Sequence, residues 1–198
     1  YCWKHKKICK PLFSIKEWFD RYAVDTVYRL KTFAKLKTSS HYAVLPADSR
    51  TVDIFKEVEK RNKKFHEILK KQKINGIFTS PPYVGQIDYH EQHAYAYDLF
   101  GFHRRDELEI GPLYKGQGAE ARASYVEGIS KVLLNCRKFL ADDFDVFIVA
   151  NDKYNLYPTI AEQVGMKIVN QFRRPVLNRT ERDKSPYSEK IFHLKNAK

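Results

Sequence analysis

The chain has 198 residues, enough for one full domain with a small appendage. Its 43% hydrophobic and 14% aromatic content fills a core, which excludes a mostly disordered chain. No run approaches eighteen apolar residues and no N-terminal apolar stretch is present, so neither a transmembrane span, a secretory signal nor a membrane partner is expected. The formal charge of +12 is uneven: residues 1–73 hold 19 basic and 8 acidic side chains, residues 74–198 hold 17 and 16. A basic half beside a balanced half points to a polyanion partner; a solvated lysine-rich helix face is the alternative. Three sparse cysteines, Cys2, Cys9 and Cys136, suit a reducing, cytoplasmic setting without a disulfide framework. The first residue is Tyr1 rather than Met, as expected of a fragment or a processed piece.

In chain order, residues 14–37 read as a helix with Ser14 as cap, because Ile15, Trp18, Phe19, Tyr22, Leu30 and Phe33 recur at helical spacing. Residues 42–45 form a short strand candidate running into Pro46-Ala47-Asp48-Ser49-Arg50. A second, basic helix covers 51–72, with Ile54, Phe55, Val58, Phe65, Ile68 and Leu69 as its buried stripe. The apolar strand 74–79 ends at Ser80-Pro81-Pro82-Tyr83. A helix at 90–100, stopped by Gly101, precedes a glycine-bearing loop at 102–118. Further elements are a helix at 119–141, a strand at 144–150, a helix at 156–164, and strands at 167–173 and 189–195. The near-continuous apolar run 144–150 belongs in the middle of a covered sheet. The last two strands leave no room for a helix and pair antiparallel at the sheet edge. Strands alternating with helices make this an α/β layered domain. The expected division is a basic helical segment, 1–41, and a catalytic portion, 42–198.

The informative segment is Thr79-Ser80-Pro81-Pro82-Tyr83. In open α/β sheets ligands bind beyond the carboxyl ends of strands. Two prolines there make a stiff, extended loop with outward carbonyls and no N–H to compete. The Ser80 hydroxyl and the Pro81 carbonyl are two acceptors for the two hydrogens of an exocyclic amino group. Binding those hydrogens favours a pyramidal, nucleophilic nitrogen, and Tyr83 offers a stacking face for a base taken out of the duplex. A polyproline ligand is the alternative for this stretch; its position after a buried strand disfavours it.

These residues resemble the amino-methylating DNA methyltransferases, which move a methyl group from S-adenosylmethionine to N4 of cytosine or N6 of adenine. The Thr-Ser-Pro-Pro-Tyr spelling is most similar to the N4-cytosine branch. Supporting segments are Ala47-Asp48-Ser49-Arg50, Ile87-Asp88-Tyr89 with His93, Leu99-Phe100-Gly101, Asp145 to Asn151, and Tyr187 to His193; the resemblance covers about residues 42–195. It implies a partial Rossmann-like, mostly parallel α/β sheet with an antiparallel hairpin at its C-terminal edge. It implies Ser80, Pro81, Pro82 and Tyr83 as catalytic residues, and Asp48, Ser49 and Thr79 as contacts to S-adenosylmethionine. Double-stranded DNA is the implied partner, with Tyr89, His93, Arg173, Arg174 and Arg179 as the contacts expected of this chain. Arg182 and Lys184 extend that basic cluster, and a solvated loop is its alternative.

The family's glycine-rich cofactor turn has no counterpart, since no glycine precedes Gly76. The Gly116-Gln117-Gly118 stretch reads as a mobile loop rather than a cofactor cradle. The expectation is a missing N-terminal segment or a second chain that supplies the turn, and an incomplete sheet edge beside residues 77–79. The rival readings are an RNA base methyltransferase and a non-catalytic DNA-binding subunit. Cys2, His5 and Cys9 lack a fourth ligand at zinc spacing, so no metal site is expected. Tyr95 and Tyr97 read as core packing.

Overall fold

The computed structural model describes residue 6, residues 14–176 and residues 187–197. Cys2, His5, Cys9, Arg179, Arg182 and Lys184 therefore lie outside the described residues. The chain divides into two compact units, residues 1–42 and 43–198.

The first unit contains helix α1, Ile15–Leu36. Ser14 caps it by accepting from the Glu17 N–H, and Lys35 stands in its last turn, where cations favour the helix dipole. None of its residues is buried, so the periodic apolar stripe that nucleates the helix faces outward.

In the second unit, residues 51–72 form two helices rather than one: α2, Ile54–Arg61, and α3, Lys63–Lys71. Asn62 causes the break. Its backbone leaves the helical region (φ −151°, ψ 86°), it closes α2, and its side chain accepts from the Phe65 N–H at 2.9 Å to start α3. A local cap here outcompetes continuation. The stripe is otherwise as expected: Val58 and Leu69 are buried, and His66 is buried with them. Residues 42–45 join no sheet. Residues 89–100 likewise form two short helices, α4 (Tyr89–Gln92) and α5 (Ala94–Phe100), which meet at His93. Gly101 ends α5 in the left-handed region at φ 65°.

The sheet has four strands: β1 (Ile74–Thr79), β2 (Leu140–Ala150), β3 (Met166–Val176) and β4 (Tyr187–Asn196). Their spatial order is β1-β2-β4-β3. β1 and β2 are parallel, and β4 is antiparallel to both β2 and β3. Three strands therefore run one way, with an antiparallel hairpin at the C-terminal edge, as the resemblance implies. β2 starts earlier than the apolar run suggests because Leu140 already pairs with Ile74. At Gly76 the two strands approach so closely that an added Cβ would lie 2.8 Å from the Asp145 carbonyl.

Helices α6 (Ala119–Arg137) and α7 (Tyr157–Gln163) cover one face of this sheet. Val126, Ile129 and Leu133 of α6 share a core with Ile160 and Ala161 of α7, Val146 and Ile148 of β2, and Phe192 and Leu194 of β4. Fully burying one such side chain is worth roughly 1.5–3 kcal/mol, so this layer fixes the carboxyl ends of β1 and β2 in space. Among the described residues no helix is long and apolar enough to cross a membrane.

Candidate active site at the carboxyl end of β1

The register sets the frame. Thr79 pairs with Ile148 and Ala150 pairs with Lys190, so the carboxyl ends of β1 and β2 and the first residues of β4 share one rim. The Ser80–Tyr83 loop leaves β1 there.

Most polar groups around this loop are tied. The Tyr125 hydroxyl of α6 donates to the Pro82 carbonyl at 2.8 Å and lies 2.9 Å from the Tyr157 hydroxyl. A phenol carries one hydrogen, so Tyr157 is the donor of the second bond. Burial pushes the Tyr125 phenol up to about 12 and raises that of Tyr157 as well, so both remain neutral donors. The Tyr157 ring stacks on Phe192 at 4.9 Å, which anchors the pair to the core. The Tyr83 hydroxyl donates to Glu189 Oε1 at 2.5 Å.

The chain beyond the motif is pinned too. The Gly85 N–H donates to the Gly111 carbonyl at 2.9 Å, the Leu113 N–H donates to the Ile87 carbonyl, and Gln117 Nε2 donates to the Gly85 carbonyl at 3.0 Å. Gly85 has φ 62°, and an added Cβ would fall 2.3 Å from the Gly116 carbonyl, so only glycine fits. Gln117 also accepts from the Tyr154 hydroxyl. The 116–118 stretch, expected to be a mobile loop, is thus a clamp on the motif. In contrast, neither the Ser80 hydroxyl nor the Pro81 carbonyl takes a hydrogen bond among the described residues, and Ser80 is exposed.

Asp48 and Ser49 lie at a different place. They line a cavity of about 510 Å³ with Arg50, His90, Tyr97 and Glu109, and none of residues 79–83 lines it. Asp48 accepts from Arg50 Nε at 2.9 Å and Nη2 at 2.6 Å. These bonds hold its carboxyl below the usual carboxylate range. Glu109 connects the cavity to the loop: its Oε1 accepts from the Tyr89 N–H at 2.6 Å, and its Oε2 is buried without a partner. Asn135 Nδ2 donates to the Ser49 and Val52 carbonyls, fixing the 48–52 turn on α6.

The remaining expected residues are dispersed. Tyr89 is exposed near the loop, whereas exposed His93 stands at the α4–α5 junction with its ring 6.2 Å from Tyr95. Tyr95 is exposed rather than packed in the core, because the kink at His93 turns it outward, and Tyr97 bonds to His90. Arg173 donates to the Ser188 hydroxyl at 2.9 Å, and Arg174 is committed to Glu189. Sequence reasoning missed Glu189, Tyr125 and Tyr157 as neighbours of the motif. Glu189 had no local signal, since its strand mixes polar and apolar residues and its neighbours Ser188 and Lys190 are polar too. The two tyrosines had none, since their partners are 32 and 43 residues away.

No protein-family model matches the chain. It is 54% identical over 195 residues to the Type II methyltransferase M.MjaII of Methanocaldococcus jannaschii, a match over 98% of this chain. The chain spans 37% of that relative's length. Among solved structures, the M1.HpyAVI complex with SAM superposes with a TM-score of 0.38 at 11% identity. That superposition covers 76% of this chain and 53% of the other.

Proposed function

We propose that this chain is the catalytic portion of an S-adenosylmethionine-dependent DNA methyltransferase, acting on the exocyclic amino group of a flipped base, with N4 of cytosine as the target. The observation that carries this reading is the selective vacancy at the rim. Pro82, Tyr83 and Gly85 are tied down, while the two acceptors suited to an amino group, Ser80 Oγ and the Pro81 carbonyl, are left uncommitted. The similarity to a protein named as a Type II methyltransferase supports the same chemistry.

The Asp48 cavity fits part of the cofactor. Glu109, Asp48 and Ser49 line it as polar groups suited to a ribose hydroxyl or an adenine amino group, and Glu109 Oε2 is buried without a hydrogen-bond partner among the described residues. No glycine precedes Gly76 to admit close backbone approach. These residues therefore supply one wall of a binding site. When bound, S-adenosylmethionine supplies an electrophilic methyl group. The chain's own contribution is to hold the amino nitrogen: Ser80 and Pro81 accept its two hydrogens, Tyr83 supports the ring, and Thr79 sets where the loop departs from the strand. Arg173 and Arg179 contact phosphate, and Tyr89 and His93 lie along the DNA path.

The missing wall comes from a partner segment at the free edge of β1. Among the described residues that strand pairs only with β2, and Phe78 is 78% exposed on it. An unpaired apolar strand edge invites another strand. The chain alone accordingly binds S-adenosylmethionine weakly, which calorimetry on residues 1–198 against the full-length protein tests. The main test is transfer of labelled methyl from S-adenosylmethionine by the full-length protein to duplex DNA and to tRNA, followed by nucleoside analysis. N4-methylcytosine in DNA that is lost in Ser80→Ala supports the proposal. Transfer to RNA alone, or transfer indifferent to Ser80, overturns it.

A further inference from the structure

Tyr83 is held by a carboxylate that belongs to another strand. Glu189 is 8% exposed, and both of its oxygens are used. Oε1 accepts from the Tyr83 hydroxyl at 2.5 Å, and Oε2 accepts from Arg174 Nε at 2.9 Å and Nη2 at 2.5 Å. The guanidinium pairs with one carboxylate oxygen, and the Tyr83 phenol donates to the other. Glu189 and Arg174 are directly paired across β4 and β3, which means that the sheet ladder, not the loop, sets the carboxylate's position. A tyrosine ring turns about two side-chain bonds. Packing alone limits it, whereas a hydrogen bond at the para position fixes where the ring's far end lies.

We infer that Glu189 is the positioning residue for the Tyr83 ring, with Arg174 as its charge partner. The Arg174–Glu189–Tyr83 chain presets the plane on which the target base stacks. This rests on the reading of Tyr83 as a base-stacking residue and assigns Arg174 a role other than general phosphate contact. A stacking face already aligned when the base arrives loses less side-chain freedom on binding. The consequence is expected in turnover and in capture of the flipped base, not in affinity for the duplex.

The test uses the full-length protein with 3-fluorotyrosine placed at position 83. Its fluorine resonance reports ring order whatever the substrate is. A single sharp line that shifts or broadens in Glu189→Ala, with partial recovery in Glu189→Gln, supports the inference; an unmoved line overturns it. Methyl transfer then gives a double-mutant cycle. Glu189→Ala is expected to lower kcat about tenfold, the worth of one charge-assisted hydrogen bond, with KM for DNA within about twofold. Tyr83→Phe, which leaves the Glu189–Arg174 pair intact and so does not depend on the fold tolerating loss of the carboxylate, is expected to match it. The double variant should be no worse than either single one. Additive losses, or a loss confined to KM, overturn the positioning role. A resonance that moves in a protein that methylates no DNA keeps the positioning role and removes only the function proposed for Tyr83.

Discussion

Strands β1 and β2 are parallel neighbours with opposite surroundings. β2 lies between two strands under a helical layer, and Val146, Ile148 and Ala150 are fully buried. Among the described residues β1 has one partner, and it carries Phe78 in the open. Yet the Ser80–Tyr83 loop leaves from β1, the less protected strand. The contrast teaches where the loop's rigidity comes from. It is not inherited from its parent strand but imposed from beyond it, by Tyr125 on α6, Glu189 on β4, and the Gly85 clamp with Gly111 and Gln117.

The largest effect should sharpen the contrast between the strands themselves. Ile148→Ala opens a cavity in a fully buried site and is expected to cost about 2–5 kcal/mol in denaturant unfolding. A smaller loss would mean that β2 is not the packed centre. Next is Tyr83→Ala, expected to retain the fold and to weaken methyl transfer by the worth of one stacked base, about 1–3 kcal/mol of transition-state stabilisation. Full turnover would remove Tyr83 from the site. Tyr125→Phe deletes both the hydrogen bond to Pro82 and the acceptor of the Tyr157 hydroxyl. A stability loss of about 1 kcal/mol, with a parallel loss in kcat, is expected. If kcat holds, the loop is positioned by its other ties. Phe78→Ser should change the stability of residues 1–198 by less than about 0.5 kcal/mol, as an exposed position does. In the full-length protein a distinctly larger cost would mark a partner covering this edge.

The smallest effect is electrostatic and lies in the Asp48 cavity. The Arg50 bonds depress the Asp48 pKa, so their stabilising contribution is complete above the ordinary carboxylate range and is lost as the pH falls through the lowered value. Arg50→Met should move the Asp48 titration midpoint upward, read by carboxyl-carbon NMR. An unchanged midpoint would separate Asp48 from Arg50 in solution.

The layered α/β class was legible because its signals are local and repetitive: the apolar run that became β2, the shorter one that became β1, and the helical periodicity of α1. The Ser80–Tyr83 loop was legible for the same reason, since proline acts on its own backbone and on the residue before it. The illegible parts depend on single competing bonds or on register. Nothing in the composition of 51–72 announced that Asn62 would cap a new helix. Residues 89–100 also divided at His93, here without a side-chain cap, and Tyr95 stands outside the core. Arg174 looked like a phosphate contact because its pairing with Glu189 exists only once β3 and β4 align. The 42–45 strand failed for a related reason: its apolar run is strand-like, but no neighbour in the described sheet receives it.

The spatial order of the sheet also bears on how the protein is made. β4 is the last of the four described strands to be synthesised, yet it lies between β2 and β3. Until residues 187–196 have emerged, β2 keeps an unsatisfied flank and the Tyr83–Glu189 bond cannot form. Biosynthesis therefore assembles this domain in one late step, and a nascent chain stalled before Glu189 would display the proline loop without the support that orients it.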